Sequence, residues 1–130
     1  MKKRTVLNQN FQFQRVYRNG KSFVSPLVVT YVASSRRGGG VRYGITASKK
    51  IGCAAQRNRA RRVIKAAVTL LLPVTEGAYD LVFVARKATI KAKSTALFDV
   101  LSGQLMKAGV INDEASFLSH VEKKIGDGGA

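Results

Sequence analysis

The stretch best equipped for chemistry is Arg57-Asn58-Arg59-Ala60-Arg61-Arg62-Val63-Ile64-Lys65, five cations in nine residues with no acid among them. Wound as a helix at about 100° per residue, it divides into two halves. Arg57, Asn58, Arg61, Arg62 and Lys65 cover one, Ala60, Val63, Ile64, Ala67 and Leu71 the other, and Arg59 sits at the border. The apolar half suits a core. The other half offers forked guanidinium donors, which match phosphate oxygens two at a time. A face that is merely solvated usually mixes Glu with Lys, and this one has no Glu. Just upstream, Ser48-Lys49-Lys50-Ile51-Gly52 leads into the helix, whose free N-terminal amides add to the positive field. Contact with RNA or DNA is the expected chemistry.

A second group is aromatic: Phe13, Tyr17 and Tyr31. Rings beside cations suit unpaired nucleotides, because every base has a π face to stack. Arg15, Arg18, Lys49 and Lys50 lie on segments able to meet these rings; the alternative is that the rings are ordinary core. Catalytic residues are not expected. Metal-dependent nucleases cluster carboxylates around their cations, whereas the seven acids (Glu76, Asp80, Asp99, Asp113, Glu114, Glu122, Asp127) are scattered and far from the basic region. His120 is the lone histidine and lies near the end of the chain, so no general-base pair is in view and no protein-bound metal is expected. Cys53 reads as a small buried or half-buried thiol.

Charge is distributed unevenly. Residues 1–65 hold 16 of the 23 Lys and Arg and no acid, whereas residues 66–130 hold 7 of each sign, so the first half carries the whole +16. Such a surface repels itself and favours a polyanionic partner, with nucleic acid first among candidates through counterion release. At 130 residues and 45% apolar composition the chain fits one domain with a real core. The Lys2-Lys3-Arg4 start is followed by Asn8, Gln9, Asn10 and Gln12 where a secretory segment needs apolar residues. No apolar run is long enough for a bilayer span. With a single cysteine, these features lead to the expectation of a cytoplasmic protein with no membrane partner.

The elements that must hold these residues follow from periodicity. Residues 9–18 form a short helix ended by Asn19-Gly20, with Phe13 and Tyr17 on one face. Residues 22–33 read as one strand, with Leu27, Val29 and Tyr31 opposite Val28, Thr30 and Val32. Residues 41–48 alternate again, with Val41, Tyr43, Ile45 and Ala47 opposite Arg42, Gly44, Thr46 and Ser48. The basic helix spans 54–72 and stops at Pro73. A strand over 79–85, a helix over 94–107 carrying Leu97, Leu101 and Leu105, and a short helix within 110–124 complete the order. The result is an α+β fold, a two-layer α-β sandwich in helix-strand-strand-helix-strand-helix order with one layer of helices on the sheet. A single domain over 1–124 and a flexible tail over 125–130 are expected.

These residues also carry a family resemblance. Phe13-Gln14-Arg15-Val16-Tyr17-Arg18-Asn19-Gly20, the strand through Tyr31, and Val41-Arg42-Tyr43-Gly44-Ile45-Thr46-Ala47-Ser48-Lys49-Lys50-Ile51-Gly52 are similar to segments of the bacterial ribonuclease P protein subunit. The run Arg57-Asn58-Arg59-Ala60-Arg61-Arg62 resembles that family's signature helix, and Phe83-Val84-Ala85-Arg86-Lys87 its third-strand end. The resemblance implies a ribosomal-protein-S5-domain-2-like fold with a left-handed βαβ crossover, against the usual right-handed preference. It implies a protein partnered one-to-one with a large catalytic RNA that removes the 5′ leader from precursor tRNA and other structured precursors, with magnesium acting in the RNA-containing holoenzyme. Arg57, Asn58, Arg59, Arg61, Arg62 and Lys65 would face the RNA subunit. Phe13, Tyr17, Val29, Tyr31, Thr46, Ser48, Lys49 and Lys50 would line a cleft for the single-stranded leader, with Arg57, Asn58, Arg61 and Lys65 at its border. Tyr17 stands where many members have Phe, and Thr46 where Ser is frequent. The alternatives are a basic ribosomal or other structural RNA-binding protein, then a helix-turn-helix DNA binder, which needs a helix rather than an apolar strand before its reading helix, and last a stand-alone nuclease.

Overall fold

Strand alternation sets the architecture. The computed structural model describes residues 6–7, 10–35, 40–75 and 77–111. Its elements are α1 (Asn10–Asn19), β1 (Lys21–Val24), β2 (Val28–Ser34), β3 (Arg42–Thr46), α2 (Ala54–Leu71), β4 (Tyr79–Ala85), α3 (Lys87–Lys91) and α4 (Ser94–Ala108). One four-stranded sheet runs β1-β2-β4-β3. β2 is antiparallel to β1 and to β4, while β3 is parallel to β4. A parallel pair needs a long crossover, and α2 supplies it. β3-α2-β4 is thus the unit to which the resemblance assigns its unusual hand.

Because neighbouring strand residues point to opposite faces, the sheet feeds two cores. Val28, Val32, Tyr43, Leu81, Phe83 and Ala85 pack with Ala60, Ile64, Ala67 and Leu71 of α2 and with Leu97, Leu101 and Leu105 of α4. On the opposite face Ala33 and Val82 pack with Val16 of α1 and Leu7, flanked by Phe13, Tyr17, Tyr31 and Val84. The α+β class stands, but the helices occupy both faces instead of one: α1 lies alone opposite α2 and α4. The reason lies in the doubly apolar character of β2 and β4, which leaves a second face to be covered.

Other boundaries also differ from expectation. Residues 22–33 are two strands. Pro26 sits in a tight turn in which the Ser25 N–H donates to the Val28 carbonyl at 3.1 Å, a position where a fixed φ is favoured and an amide is not needed. The short α3 went unread because five residues carry too little periodicity. Pro73 does not stop the chain's coiling at once: α2 tightens into a 3₁₀ turn over Leu72–Val74. The strand over 79–85 and the three buried leucines of α4 agree with the pattern. α4 ends at Gly109, whose φ of 82° is the left-handed cap that glycine adopts freely. Val110 and Ile111 are buried. The rest of the expected 110–124 helix and the 125–130 tail lie outside the described residues.

Polar groups inside the larger core are paired, as burial requires. Thr30 Oγ1 donates to Gln104 Oε1 at 2.6 Å, and Gln104 Nε2 donates to the Phe23 carbonyl at 2.9 Å, tying α4 to the β1-β2 hairpin. Thr89 Oγ1 donates to the Leu27 carbonyl and accepts from the Arg86 N–H at 2.9 Å, which fastens α3 beneath the hairpin turn. Burial raises the Tyr43 phenol above its ordinary pKa by desolvation, so this ring stays neutral in the core.

Candidate nucleic-acid interface

Strand register arranges the α1 face in three rows across β3, β4 and β2. They are Arg42–Asp80–Ala33, Gly44–Val82–Tyr31 and Thr46–Val84–Val29. α1 crosses the middle row. Its Val16 is fully buried on the sheet, Phe13 lies over Gly44 and Leu7 at the β3 end, and Tyr17 meets Tyr31 edge-on at 4.9 Å between ring centroids and an interplanar angle of 77°. The third row is left as a floor beside the helix, with Val29, Val84 and Thr46 half-buried. Past the end of β3, Ser48, Lys49 and Lys50 are exposed on a 3₁₀ turn leading into α2. The structure therefore brings Phe13, Tyr17, Tyr31, Val29 and Thr46 onto one face of the sheet, rings as a wall and small apolar groups and a hydroxyl as a floor, while Ser48, Lys49 and Lys50 are exposed just past the strand that carries Thr46. That combination can hold an unpaired strand by stacking and by phosphate attraction.

Gly44 is part of this wall although sequence reading gave it no role. A Cβ there would fall 2.4 Å from Phe13 Cε1, closer than atoms can approach, so the ring sits where it does because residue 44 has no side chain. Gly44→Ala should displace Phe13 from the sheet and weaken binding of a single-stranded oligonucleotide by roughly fivefold to tenfold, the lower part of the about 1–3 kcal/mol that stacking of a base is worth. Fluorescence anisotropy with a labelled strand reads this directly. Unchanged binding would mean that the ring takes no part.

The basic helix turns its other side outward. Ala60, Ile64, Ala67, Val68 and Leu71 are buried, while Asn58, Arg61, Arg62 and Lys65 are exposed. Arg61 Nη1 donates weakly to Asn58 Oδ1 at 3.4 Å. Arg57 is half-buried, and its Nε is enclosed without a hydrogen-bond partner. Arg59 departs from this group. It leaves α2 on the far flank and its Nε donates to the Ile90 carbonyl at 2.7 Å, capping the end of α3. Arg59 remains exposed, but part of its fork is committed to the fold. The helix start is fixed by Gln56, whose Oε1 accepts from the Cys53 N–H at 2.9 Å. Cys53 itself is exposed, not buried, because it stands at the N-cap, ahead of the first turn of the helix.

The two groups lie on opposite faces of the sheet, yet they adjoin at the β3 edge. Leu7 donates its N–H to the Tyr43 carbonyl at 2.7 Å and Val6 bridges Tyr43, so this short segment continues the sheet beyond β3. Leu7 packs in the cluster with Phe13 on one side. On the other, Val6, Leu7, Tyr43 and Ile45 line a depression of about 270 Å³ rimmed by Arg61, Arg62 and Lys65. Val6 and Leu7 were unreadable from sequence, being two apolar residues in a polar stretch with no period. Among the described residues no three His, Cys, Asp or Glu side chains come together as a metal site, and no helix is long and apolar enough to cross a membrane.

The chain as a whole is similar to known proteins. The family model described as Ribonuclease P matches residues 1–109. The ribonuclease P protein component of Chloroflexus aurantiacus is 40% identical over 109 residues, 83% of this chain and 80% of that protein. The component from Clostridium botulinum strain Loch Maree is 37% identical over 112 residues, covering 85% of this chain and 99% of the relative. Among solved structures, the Staphylococcus aureus RNase P protein is similar with a TM-score of 0.74 at 28% identity, over 85% of this chain and all of that one. The Thermotoga maritima RNase P protein shares the fold with a TM-score of 0.69 at 21% identity, over 82% of this chain and 97% of that one.

Proposed function

Since this chain belongs to the ribonuclease P protein family, whose members are components of an RNA-containing endoribonuclease, we propose that it grips two RNAs at once. The outer face of α2, through exposed Asn58, Arg61, Arg62 and Lys65, with half-buried Arg57 and exposed Arg59 at its edges, holds the large RNA subunit. The cleft between α1 and the sheet holds the 5′ leader of precursor tRNA, with Phe13, Tyr17 and Tyr31 as stacking wall, Val29 and Thr46 as floor, and Ser48, Lys49 and Lys50 at the phosphates. The observation that carries this reading is the meeting of cleft and basic helix at Leu7. A strand lying in the cleft emerges beside the surface on which the RNA subunit would sit.

The chemistry is assigned to the RNA. Magnesium would be held among RNA phosphates and would supply there an activated water and charge stabilisation at the scissile phosphodiester. The protein's share is to bind the leader, orient it, and supply positive charge that lowers the magnesium needed to hold the two RNAs together. Ribosomal service has no observation of its own in favour.

A series of precursor tRNAs with progressively longer leaders tests the cleft. Affinity of the holoenzyme should rise with each added leader nucleotide until the cleft is full, while that of the RNA subunit alone stays flat. Parallel curves for the two would remove the cleft from the account.

A further inference from the structure

One carboxylate stands behind the cleft. Among the described residues the acids are Asp80 and Asp99 alone, and Asp80 is 2% exposed on the α1 face at the start of β4. Its two oxygens accept from Arg42 Nε and Nη2 of β3, each at 3.0 Å, a bidentate pair. The same Oδ2 lies 3.9 Å from Arg15 Nη2 of α1. Arg42 and Asp80 are direct partners in the β3-β4 register, so sheet geometry fixes the pair, and the pair in turn offers its charge to the helix.

The direction of this contact is what matters. Arg15 leaves α1 about 200° around the axis from Phe13, on the flank opposite the rings. The row Arg42–Asp80–Ala33 lies behind the helix, and the row Thr46–Val84–Val29 lies before it. Val16 anchors the middle. Rolling of α1 about that middle line would carry Phe13 and Tyr17 toward or away from the floor, and the Arg15–Asp80 contact on the rear flank opposes it. An acid this close to an RNA groove would ordinarily repel its ligand; here it is enclosed, faces away, and is matched by two guanidinium groups.

We propose that Asp80 is a positioning residue of the leader cleft. Held rigid by Arg42, it draws Arg15 rearward and so stops α1 from rolling, which sets the distance between the ring wall and the floor. This rests on the cleft reading above. It adds that leader recognition depends on a buried carboxylate that no RNA touches.

The test uses holoenzyme reconstituted with Asp80→Asn, Arg15→Gln and Arg15→Lys, comparing affinity for leader-bearing precursor and for mature tRNA. Asp80→Asn makes the chain more cationic, so the electrostatic field alone would tighten RNA binding. A positioning role demands the opposite for the precursor: the precursor-to-mature preference should fall roughly fivefold to tenfold, appearing in KM and leaving kcat at saturation intact. Because losing one partner of a buried pair strains the fold, Arg15→Gln serves as the second arm. This residue is half-exposed, and its loss should lower the same preference roughly threefold, with Arg15→Lys recovering part of it. A merely destabilised protein would lower the active fraction for both RNAs alike. Wild-type preference retained in both Asp80→Asn and Arg15→Gln would overturn the positioning role alone. Absence of any leader preference in the wild-type holoenzyme would instead sink the cleft, and this proposal with it.

Discussion

Replacing Arg61 and Arg62 together by Glu should weaken assembly with the RNA subunit by roughly a hundredfold or more at moderate salt, because like charges forced together cost several kcal/mol. Both side chains are exposed on α2, and Arg61's one described contact is a long bond to Asn58. Exposed substitutions of this kind usually change stability by less than about 0.5 kcal/mol, so thermal melting should scarcely move. The salt dependence supplies a second readout. Each phosphate contact contributes about 0.9 to the slope of log affinity against log salt on a duplex, so the variant's slope should be shallower by about two. Filter binding across a salt series gives both numbers. A large drop in melting temperature with an unchanged slope would show that the arginines serve the fold. Arg59 provides the internal contrast. With its Nε on the Ile90 carbonyl, Arg59→Ala should cost stability as well as affinity.

Phe13→Ala should weaken precursor binding by roughly tenfold and leave mature tRNA within about twofold, since a stacked base is worth about 1–3 kcal/mol. The ring is half-buried against Leu7 and over Gly44, so part of its apolar surface stays available to a ligand. Competition binding at a temperature where the variant is fully folded separates this from loss of core packing. Equal losses for both RNAs would make Phe13 a core residue and nothing more. Tyr17 is a weaker probe, because its ring is already engaged with Tyr31 at 4.9 Å between centroids.

Much of this was legible in the chain itself. The two faces of α2 follow from 3.6-residue periodicity, and Ala60, Ile64, Ala67 and Leu71 are buried as that pattern requires. Alternation likewise separated Tyr43 and Ile45 from Gly44 and Thr46 on β3, which decides which residues can meet α1. What stayed hidden depends on contacts between distant segments. Pairing of Asp80 with Arg42 is a matter of β3-β4 register, to which neither sequence neighbourhood points. Arg59's engagement with α3 required knowing that a five-residue helix exists. The placement of α1 opposite α2 and α4 is a choice between two apolar sheet faces, and periodicity marks both without ranking them. Pro26 was a readable signal that alternation on either side obscured: a proline inside an apparent strand marks its end.

On the proposed function, this chain steadies an RNA catalyst and holds the strand to be removed. That role is tested most directly by mixing the protein with its cognate large RNA and precursor tRNA at a magnesium concentration too low for the RNA alone. Leader removal should require both components, with a single cut at the mature 5′ end. Equal cleavage without the protein, or cleavage by the protein with no RNA subunit present, would contradict the account.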